Sequence, residues 1–490
     1  EAITALLEEN LKKSGVFFVA SDITKDQVLA LKRLNPKGFY VITSTKRSYV
    51  NGPQFSSVIG YTGKVSNDDL AEDSYYLSSD VMGRLGVEAF YEKELRGTHG
   101  RIYFTKDRGT TTNEEPVPGR NVVLNIDFDM QRQLYNQVYR TLAEAGLKSG
   151  AAIVQIPQNG AILALVSFPA YDNNIFTSQV SPEEYANVFE NKYHPLFNRA
   201  ISGLYSPGST IKPFIGMAAL QEQVVTPNDT INDCIDITIP NPFDPVNPYV
   251  FKNWRVERGP FNMRRAIANS CNVYFFTVGG GFGRFLGLGV DRIVHYLTSA
   301  LANAALGIDL PGEEHGFIPT PDWKLKTKRE NWYQGDTYNI SIGQGDLLVS
   351  PLWLISAISA IANGGTIFKP TVASRILDEQ DVPVTTFQPQ ALGQLPFSQE
   401  VIREMRSDMR ETVLSGTAKA LKDLPVPAAA KTGTAEVTAG RSINSLFTAF
   451  APVDVPQVSI MVLIEGSESN QGYAINIAHE FLQWYFQRTR

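Results

Sequence analysis

Two patterns of apolar residues alternate along this chain. Short unbroken apolar runs bounded by turn residues read as strands, and longer stretches with apolar residues every three or four positions read as helices. Val122–Ile126 is a run of the first kind, and Met130–Ala145 follows as an amphipathic helix. Ala151–Ile156 and Ala161–Ser167 are apolar runs joined around Asn159-Gly160, a hairpin signal because both turn residues accept positive φ. Lys431–Val437, Ser445–Ala451 and Val458–Glu465 predict three more strands, and Ala474–Arg488 predicts a closing amphipathic helix. Two strands early, three late and helices between them predict one sheet interrupted by a long helical insertion. Tight hairpins make that sheet antiparallel. The expected fold is α+β, with helices covering the sheet.

Residues 1–115 are mixed. Polar, turn-rich stretches separate short segments such as Phe39–Thr43 and Ser57–Tyr61, which are expected as strands, and Glu88–Leu95 is expected as a helix. Thr110–Arg120, with Pro116, Pro118 and Gly119, reads as a linker. The expected division is a mixed α/β domain over 1–118 and a second domain over 119–490. A length of 490 residues agrees with more than one core. No internal repeat stands out.

Hydrophobic residues make up 43% and charged residues 19%, an ordinary globular balance. The net charge of −6 leaves no basic footprint for a nucleic-acid partner. Cys234 and Cys271 form no CxxC pair and are too few for a disulfide framework. Two free buried thiols are the expectation, with a single bridge as the open alternative. No apolar run reaches the ~18 residues of a membrane span. The chain starts at Glu1 without a start methionine or signal peptide, so an anchor ahead of it stays open.

The sharpest chemical signal is Tyr205-Ser206-Pro207-Gly208-Ser209-Thr210-Ile211-Lys212-Pro213. A turn at Ser206-Pro207-Gly208 leads into the apolar, helix-like Phe214–Leu220, which places Ser209 at a helix start and Lys212 one turn on. At i and i+3 the two side chains share a face. A serine hydroxyl needs a neighbouring base to become a nucleophile, and a lysine serves if burial or a second cation lowers its pKa. The helix start adds amides that favour a developing anion. Alone, an S-x-x-K match is weak. Ser270-Cys271-Asn272 then follows a helical stretch, offering a hydroxyl to relay protons and an amide for a substrate backbone. Lys431-Thr432-Gly433-Thr434 lies on a predicted strand, with a cation, two hydroxyls and a glycine that permits close approach. Ser442-Ile443-Asn444 and Lys148-Ser149-Gly150 imitate the second and third motifs but fall out of order, and both read as chance. No G-x-S-x-G elbow, HExxH, Walker A or strand-helix GxGxxG pattern is present, and the five histidines are scattered.

The ordered trio S-x-x-K, S-x-N, K-T-G resembles that of serine β-lactamases and penicillin-binding proteins. Further stretches resemble class B penicillin-binding proteins of the elongation type. They are Gly83-Arg84-Leu85-Gly86-Val87-Glu88 followed by Tyr91, Leu95 and Gly97; Asn198-Arg199-Ala200; Trp332 to Thr337; Gly343-Gln344-Gly345; and Ala449 to Pro452. The resemblance implies a non-catalytic N-terminal pedestal, a C-terminal transpeptidase domain and a single membrane anchor, with catalysis on the extracytoplasmic side. It implies that Ser209 attacks the D-alanyl-D-alanine carbonyl of a peptidoglycan stem peptide, with Lys212 as base, assisted by Ser270 and Asn272. The amides of Ser209 and Thr434 would form the oxyanion hole, while Lys431, Thr432 and Thr434 hold the terminal carboxylate beside Gly433. β-Lactams would acylate the same serine. Implied partners are a membrane glycan polymerase of the RodA type and a scaffold of the MreC type. The pedestal signature around Arg84 and Glu88 would either couple to these partners or merely join the two domains.

No cofactor is expected. Some relatives bind zinc beside the S-x-N loop through two aspartates, a histidine and a cysteine. Here Asp233 and Cys271 match two of these, while Asn253 and Arg258 stand at the others, so no metal is expected. The alternatives are a hydrolase, either a D,D-carboxypeptidase or a β-lactamase, and a non-catalytic β-lactam sensor or scaffold. The E-x-x-L-N motif of class A β-lactamases is missing, and Glu411 to Ser415 comes nearest.

Overall fold

The computed structural model describes residues 19–488 except 21–22, 42–44, 105–110, 178–179, 242–243, 439–441 and 470. The C-terminal part of the chain is organised by one antiparallel five-stranded sheet. Its strands are β1 (Gly150–Gln155), β2 (Ile162–Phe168), β3 (Ala429–Thr438), β4 (Ser442–Ala451) and β5 (Val458–Ser467), in spatial order β3-β4-β5-β1-β2. Two early and three late strands thus share one sheet, as their apolar runs predict. In β1, β2, β4 and β5 the runs are nearly unbroken because both faces are covered, whereas the edge strand β3 carries Lys431, Thr432, Thr434 and Glu436. Along β5, Ile460, Val462 and Ile464 enter one core, while Met461 and Leu463 enter the other.

Helix α1 (Phe128–Glu144) covers one face together with the C-terminal helix. The insertion between β2 and β3 supplies α2 (Lys212–Gln221), α3 (Met263–Asn269), α4 (Asn272–Gly280), α5 (Pro351–Asn363) and α6 (Gln399–Leu414). Helix α5 is buried along its whole length, so it has no polar face. The closing helix is α7 (Tyr473–Arg488). A hairpin of Ile231–Ile239 and Tyr249–Phe261 stands out from the insertion and leans on α4.

Several local readings change. Ser57–Tyr61 is not a strand: Gly52–Ile59 is a helix with Pro53 in its first turn, and it buries Phe55 and Val58, three positions apart. Phe39–Val41 lies outside any strand, and the rest of that segment falls outside the described residues. Glu88–Leu95 is split into two short helices, Gly86–Phe90 and Glu92–Leu95. Within the expected linker, Thr111–Glu114 pairs with Arg101–Phe104. The strand at Val122 runs over Asn121–Leu124 and belongs to a separate small sheet with Ala373–Leu377 and Pro383–Thr386. At the Asn159-Gly160 hairpin only Gly160 takes positive φ, and the turn is longer than two residues.

The pedestal signature is built into the packing. Glu88 is 5% exposed and pairs with Arg47 at 3.0 Å. Arg84 pairs with Asp69 at 2.7 Å. The Tyr91 hydroxyl donates to Asp309 Oδ2 at 2.7 Å, and the Asp309 carboxylate also accepts from the Val372 and Ala373 amides. This buried contact fixes the N-terminal region against the C-terminal part of the chain.

Candidate active site

The turn before α2 is held from both sides. Tyr205 exchanges backbone hydrogen bonds with Val349, and its hydroxyl donates to Glu465 Oε1 at 2.6 Å, a carboxylate that Arg199 Nε also reaches at 3.0 Å. Gly208–Ile211 then forms a 3₁₀ turn that runs directly into α2. Ser209 is half-buried on that turn. Gly208 has φ +52, its amide donates to Gly343 O, and a Cβ there would lie 2.4 Å from Thr434 O. Only a residue without a side chain lets this turn sit so close to β3. Gly433 completes the fit from the other side, since a Cβ on it would meet the Thr210 methyl at 2.7 Å. The sequence leaves open whether Gly433 admits a ligand or the helix. In the structure it is the nucleophile turn that rests there.

Lys212 is fully buried at the start of α2. Its Nζ donates to Asn272 Oδ1 at 2.6 Å and Ser270 O at 2.9 Å, and it lies 3.2 Å from Ser270 Oγ. Burial, and then the charge of Lys431, hold this amine well below the usual lysine range. Among the described residues no carboxylate pairs with it. A neutral amine has two N–H groups, and the two carbonyl oxygens can take both. The lone pair is then left for a hydroxyl proton.

Ser270 caps the end of α3 in the left-handed region, with φ +58, and Asn272 begins α4. The S-x-N loop is therefore a tight helix-to-helix corner. Lys431 Nζ donates to Ser270 Oγ at 3.0 Å and to Thr432 O at 2.9 Å. Burial lowers the Lys431 pKa to about 7. Strand alternation sorts the K-T-G residues. Lys431 and Gly433 point inward, and Thr432 and Thr434 lie on the other, partly exposed face. Lys431 thus meets the Ser270 hydroxyl, whereas the two threonines share a face.

Strand β3 is an edge of the sheet, with one side paired to β4. Gln344 Nε2 donates to Thr434 O at 3.2 Å, which marks that carbonyl as facing away from β4. In an antiparallel ladder the N–H and C=O of one residue point to the same edge, so the Thr434 amide shares that direction. Lys212, Ser270, Asn272 and Lys431 are thus joined by hydrogen bonds, the turn that carries Ser209 rests against Gly433 and Thr434, and Thr432 and Thr434 lie on the other face of β3. Sequence reasoning missed two contributors here. Thr417 Oγ1 lies 2.7 Å from Thr432 Oγ1. Gln344 appeared only as part of a resemblance. Neither carried a chemical signal, because a threonine just past a helix end is an ordinary capping residue.

The cysteines are not free. Cys271, inside the S-x-N motif, is bonded to Cys234 of the hairpin. The expectation of two thiols fails because the hairpin folds back over the corner between α3 and α4 and buries both sulfurs together. This also bears on zinc. The sulfur of Cys271 has no thiolate to give. Asp233 Oδ1 accepts from the Gly259 amide at 2.7 Å, and Asn253 is engaged with Cys234 O, Arg255 O and the Asn272 amide. These residues do not fit a zinc site.

Two family models match the chain: the penicillin binding protein transpeptidase domain over residues 150–483, and the penicillin-binding protein dimerisation domain over residues 1–124. The chain is 30% identical over 478 residues to the peptidoglycan D,D-transpeptidase MrdA of Acinetobacter baumannii, covering 92% of this chain and 68% of that one. Penicillin-binding protein 2 from Helicobacter pylori, solved in complex with MreC, superposes with a TM-score of 0.80 at 27% identity, covering 94% and 83% of the two chains. A chain from a peptidoglycan synthase complex that coordinates polymerization and crosslinking matches with a TM-score of 0.77 at 29% identity, covering 99% and 85%.

Proposed function

We propose that this chain, which belongs to the class B penicillin-binding proteins of the elongation type, uses Ser209 and Lys212 as nucleophile and base of a peptidoglycan D,D-transpeptidase. The observation that carries this assignment is the Lys212 amine. It is fully buried, has no carboxylate partner among the described residues, and is held by Ser270 and Asn272 one turn from Ser209.

The reaction starts with a stem peptide ending in D-alanyl-D-alanine. The Ser209 oxygen attacks the penultimate carbonyl carbon while Lys212 takes the hydroxyl proton. The amides of Ser209 and Thr434 meet the developing oxyanion. As the intermediate collapses, the bond to the terminal D-alanine breaks. Its nitrogen receives a proton from Lys212 through the Ser270 hydroxyl, which lies within hydrogen-bond reach of both lysines. Thr432 and Thr434 hold the departing carboxylate. An amine of a neighbouring stem peptide then attacks the acyl-Ser209 ester, forms the cross-link and frees the serine. β-Lactams enter as donor mimics and stop at the ester.

Residues 1–118 act as the pedestal and 119–490 as the transpeptidase domain. The partners are a glycan polymerase in the membrane and an MreC-type scaffold, and the catalytic domain works outside the cytoplasmic membrane on a single-pass anchor. Among the described residues no helix is long and apolar enough to cross a membrane. One experiment tests the assignment: label the protein with a fluorescent penicillin and map the labelled peptide. A long-lived adduct on Ser209, lost in Ser209→Ala with the fold intact, is the expected result. Label on Ser270, or an adduct that turns over rapidly, contradicts it.

A further inference from the structure

The corner that carries Ser270 and Asn272 has its own backbone bonds, the Ser270 amide donating to Ile267 O and the Cys271 amide to Ala266 O. Ser270 is a non-glycine residue at φ +58, a conformation that persists only where surroundings enforce it. Beyond those helix-end bonds, the hairpin at 231–261 grips the corner from outside. Cys234 on its first strand is bonded to Cys271. Asn253 on its second strand accepts from the Asn272 amide at 2.9 Å through Oδ1 and donates through Nδ2 to Cys234 O at 3.2 Å. The links close a ring: Cys234 to Cys271, Cys271 to Asn272, Asn272 to Asn253, and Asn253 back to Cys234. The hairpin is itself seated. Phe251 packs edge-on against Tyr338 with centroids 5.0 Å apart, and Arg265 donates to the carbonyls of Arg258 and Pro260. The two residues gripped by this ring, Cys271 and Asn272, flank or supply the oxygens around Lys212 Nζ.

We propose that Cys234 and Cys271, with Asn253, are positioning residues of the transpeptidation reaction: their covalent and hydrogen-bonded ring holds the Ser270-Asn272 corner in register with the Lys212 amine. The inference rests on the assignment of Lys212 as the base. Without the bond, the corner relaxes out of the left-handed conformation, water reaches Lys212, and the proton relay loses its geometry. A displacement of about 1 Å in such a group is enough to cost about 10²-fold in rate.

The experiment uses the whole chain in three forms. In the first, the disulfide is reduced with dithiothreitol, whose two thiols supply two electrons and two protons. They leave Cys234 and Cys271 as thiols and the reagent as its cyclic disulfide. The second form is Cys234→Ala/Cys271→Ala, and the third is Asn253→Ala with the disulfide intact. Stopped-flow acylation by a fluorescent penicillin yields the noncovalent Kd and the limiting acylation rate at each pH, beside the melting temperature. The expected result is an acylation rate lowered about 10- to 10²-fold, a Kd that holds, and a rising pH limb moved to higher pH as Lys212 gains water. Asn253→Ala should move the limb in the same direction. A lowered melting temperature with unchanged rate and limb would make the bond a structural staple and overturn the proposal. A parallel loss of binding and rate on an unmoved limb would overturn it as well. Ser209→Ala separates the two levels. Persistent labelling in that variant refutes the site assignment. Lost labelling, together with parent-like rates in the disulfide variants, refutes the brace alone.

Discussion

Lys212 and Lys431, from α2 and β3, converge on a single oxygen: Ser270 Oγ lies 3.2 Å from one Nζ and 3.0 Å from the other. Both amines are fully buried. Two ammonium groups around one hydroxyl, away from water and without a carboxylate, repel each other and lose solvation. Burial lowers both amines, and the charge of Lys431 lowers Lys212 further. The arrangement suits the base role proposed for Lys212, with the Ser270 hydroxyl between the two nitrogens.

Lys212→Arg isolates the base. Arginine keeps the charge and some of the reach but does not deprotonate. Penicillin acylation should fall by at least about 10²-fold, the contribution of a lost general base. The check is the acylation rate at saturating penicillin. Near-parental rates would mean that another group takes the Ser209 proton.

Much of this was legible in advance, for physical reasons. Four of the five sheet strands are apolar runs buried on both faces, and only the edge strand β3 mixes apolar with polar positions. Lys212 was identifiable because i+3 spacing at a helix start fixes its direction from local geometry alone. The failures lie where tertiary packing decides. Ser57–Tyr61 has strand-like composition, yet Pro53 starts a helix there whose face docks on the catalytic half. The bond between Cys234 and Cys271 spans 37 residues and depends on where a protruding hairpin folds back. Nothing local in either cysteine encodes that. The signature at Arg84 and Glu88 says nothing about burial in sequence, yet Arg84 pairs with Asp69 and the buried Glu88 pairs with Arg47.

Thr432→Val tests the carboxylate contact. Losing one hydrogen bond to a charged group costs roughly 1.5–3 kcal/mol. Acylation by carboxylate-bearing β-lactams should fall by that amount, while an analogue with an esterified carboxylate loses much less. Equal losses for the two compounds would remove the role.

Thr417→Val tests the support behind that contact. Thr417 Oγ1 lies 2.7 Å from Thr432 Oγ1 and fixes the direction of its hydroxyl. The single change should cost about 0.5–1.5 kcal/mol in acylation, the value of a neutral hydrogen bond. Added to Thr432→Val it should cost almost nothing further, because the oriented group is already gone. Additive losses in the double-mutant cycle would show that Thr417 acts independently.

Lys431→Met probes the buried cation through stability. The Lys431 pKa is about 7 in the folded chain, against an ordinary value of 10.5. Below the lower value the amine is charged in both states, and folding bears the full cost of burying that charge. Between the two values the unfolded chain keeps the proton and the folded chain does not, so stability rises with pH there. Above 10.5 both states are neutral and the cost is gone. Methionine carries no such term, and its lost hydrogen bonds to Ser270 Oγ and Thr432 O add an offset that does not vary with pH. The stability of the parent relative to Lys431→Met should therefore climb through the window above neutrality. Its slope is at most about 1.4 kcal/mol per pH unit, the limit for one proton. Urea unfolding of both proteins across this range measures the difference directly. A difference that stays flat would mean that Lys431 keeps its proton in the folded chain. In that case it would act on Ser270 as a permanent cation, and the proton shared around that hydroxyl would belong to Lys212 alone.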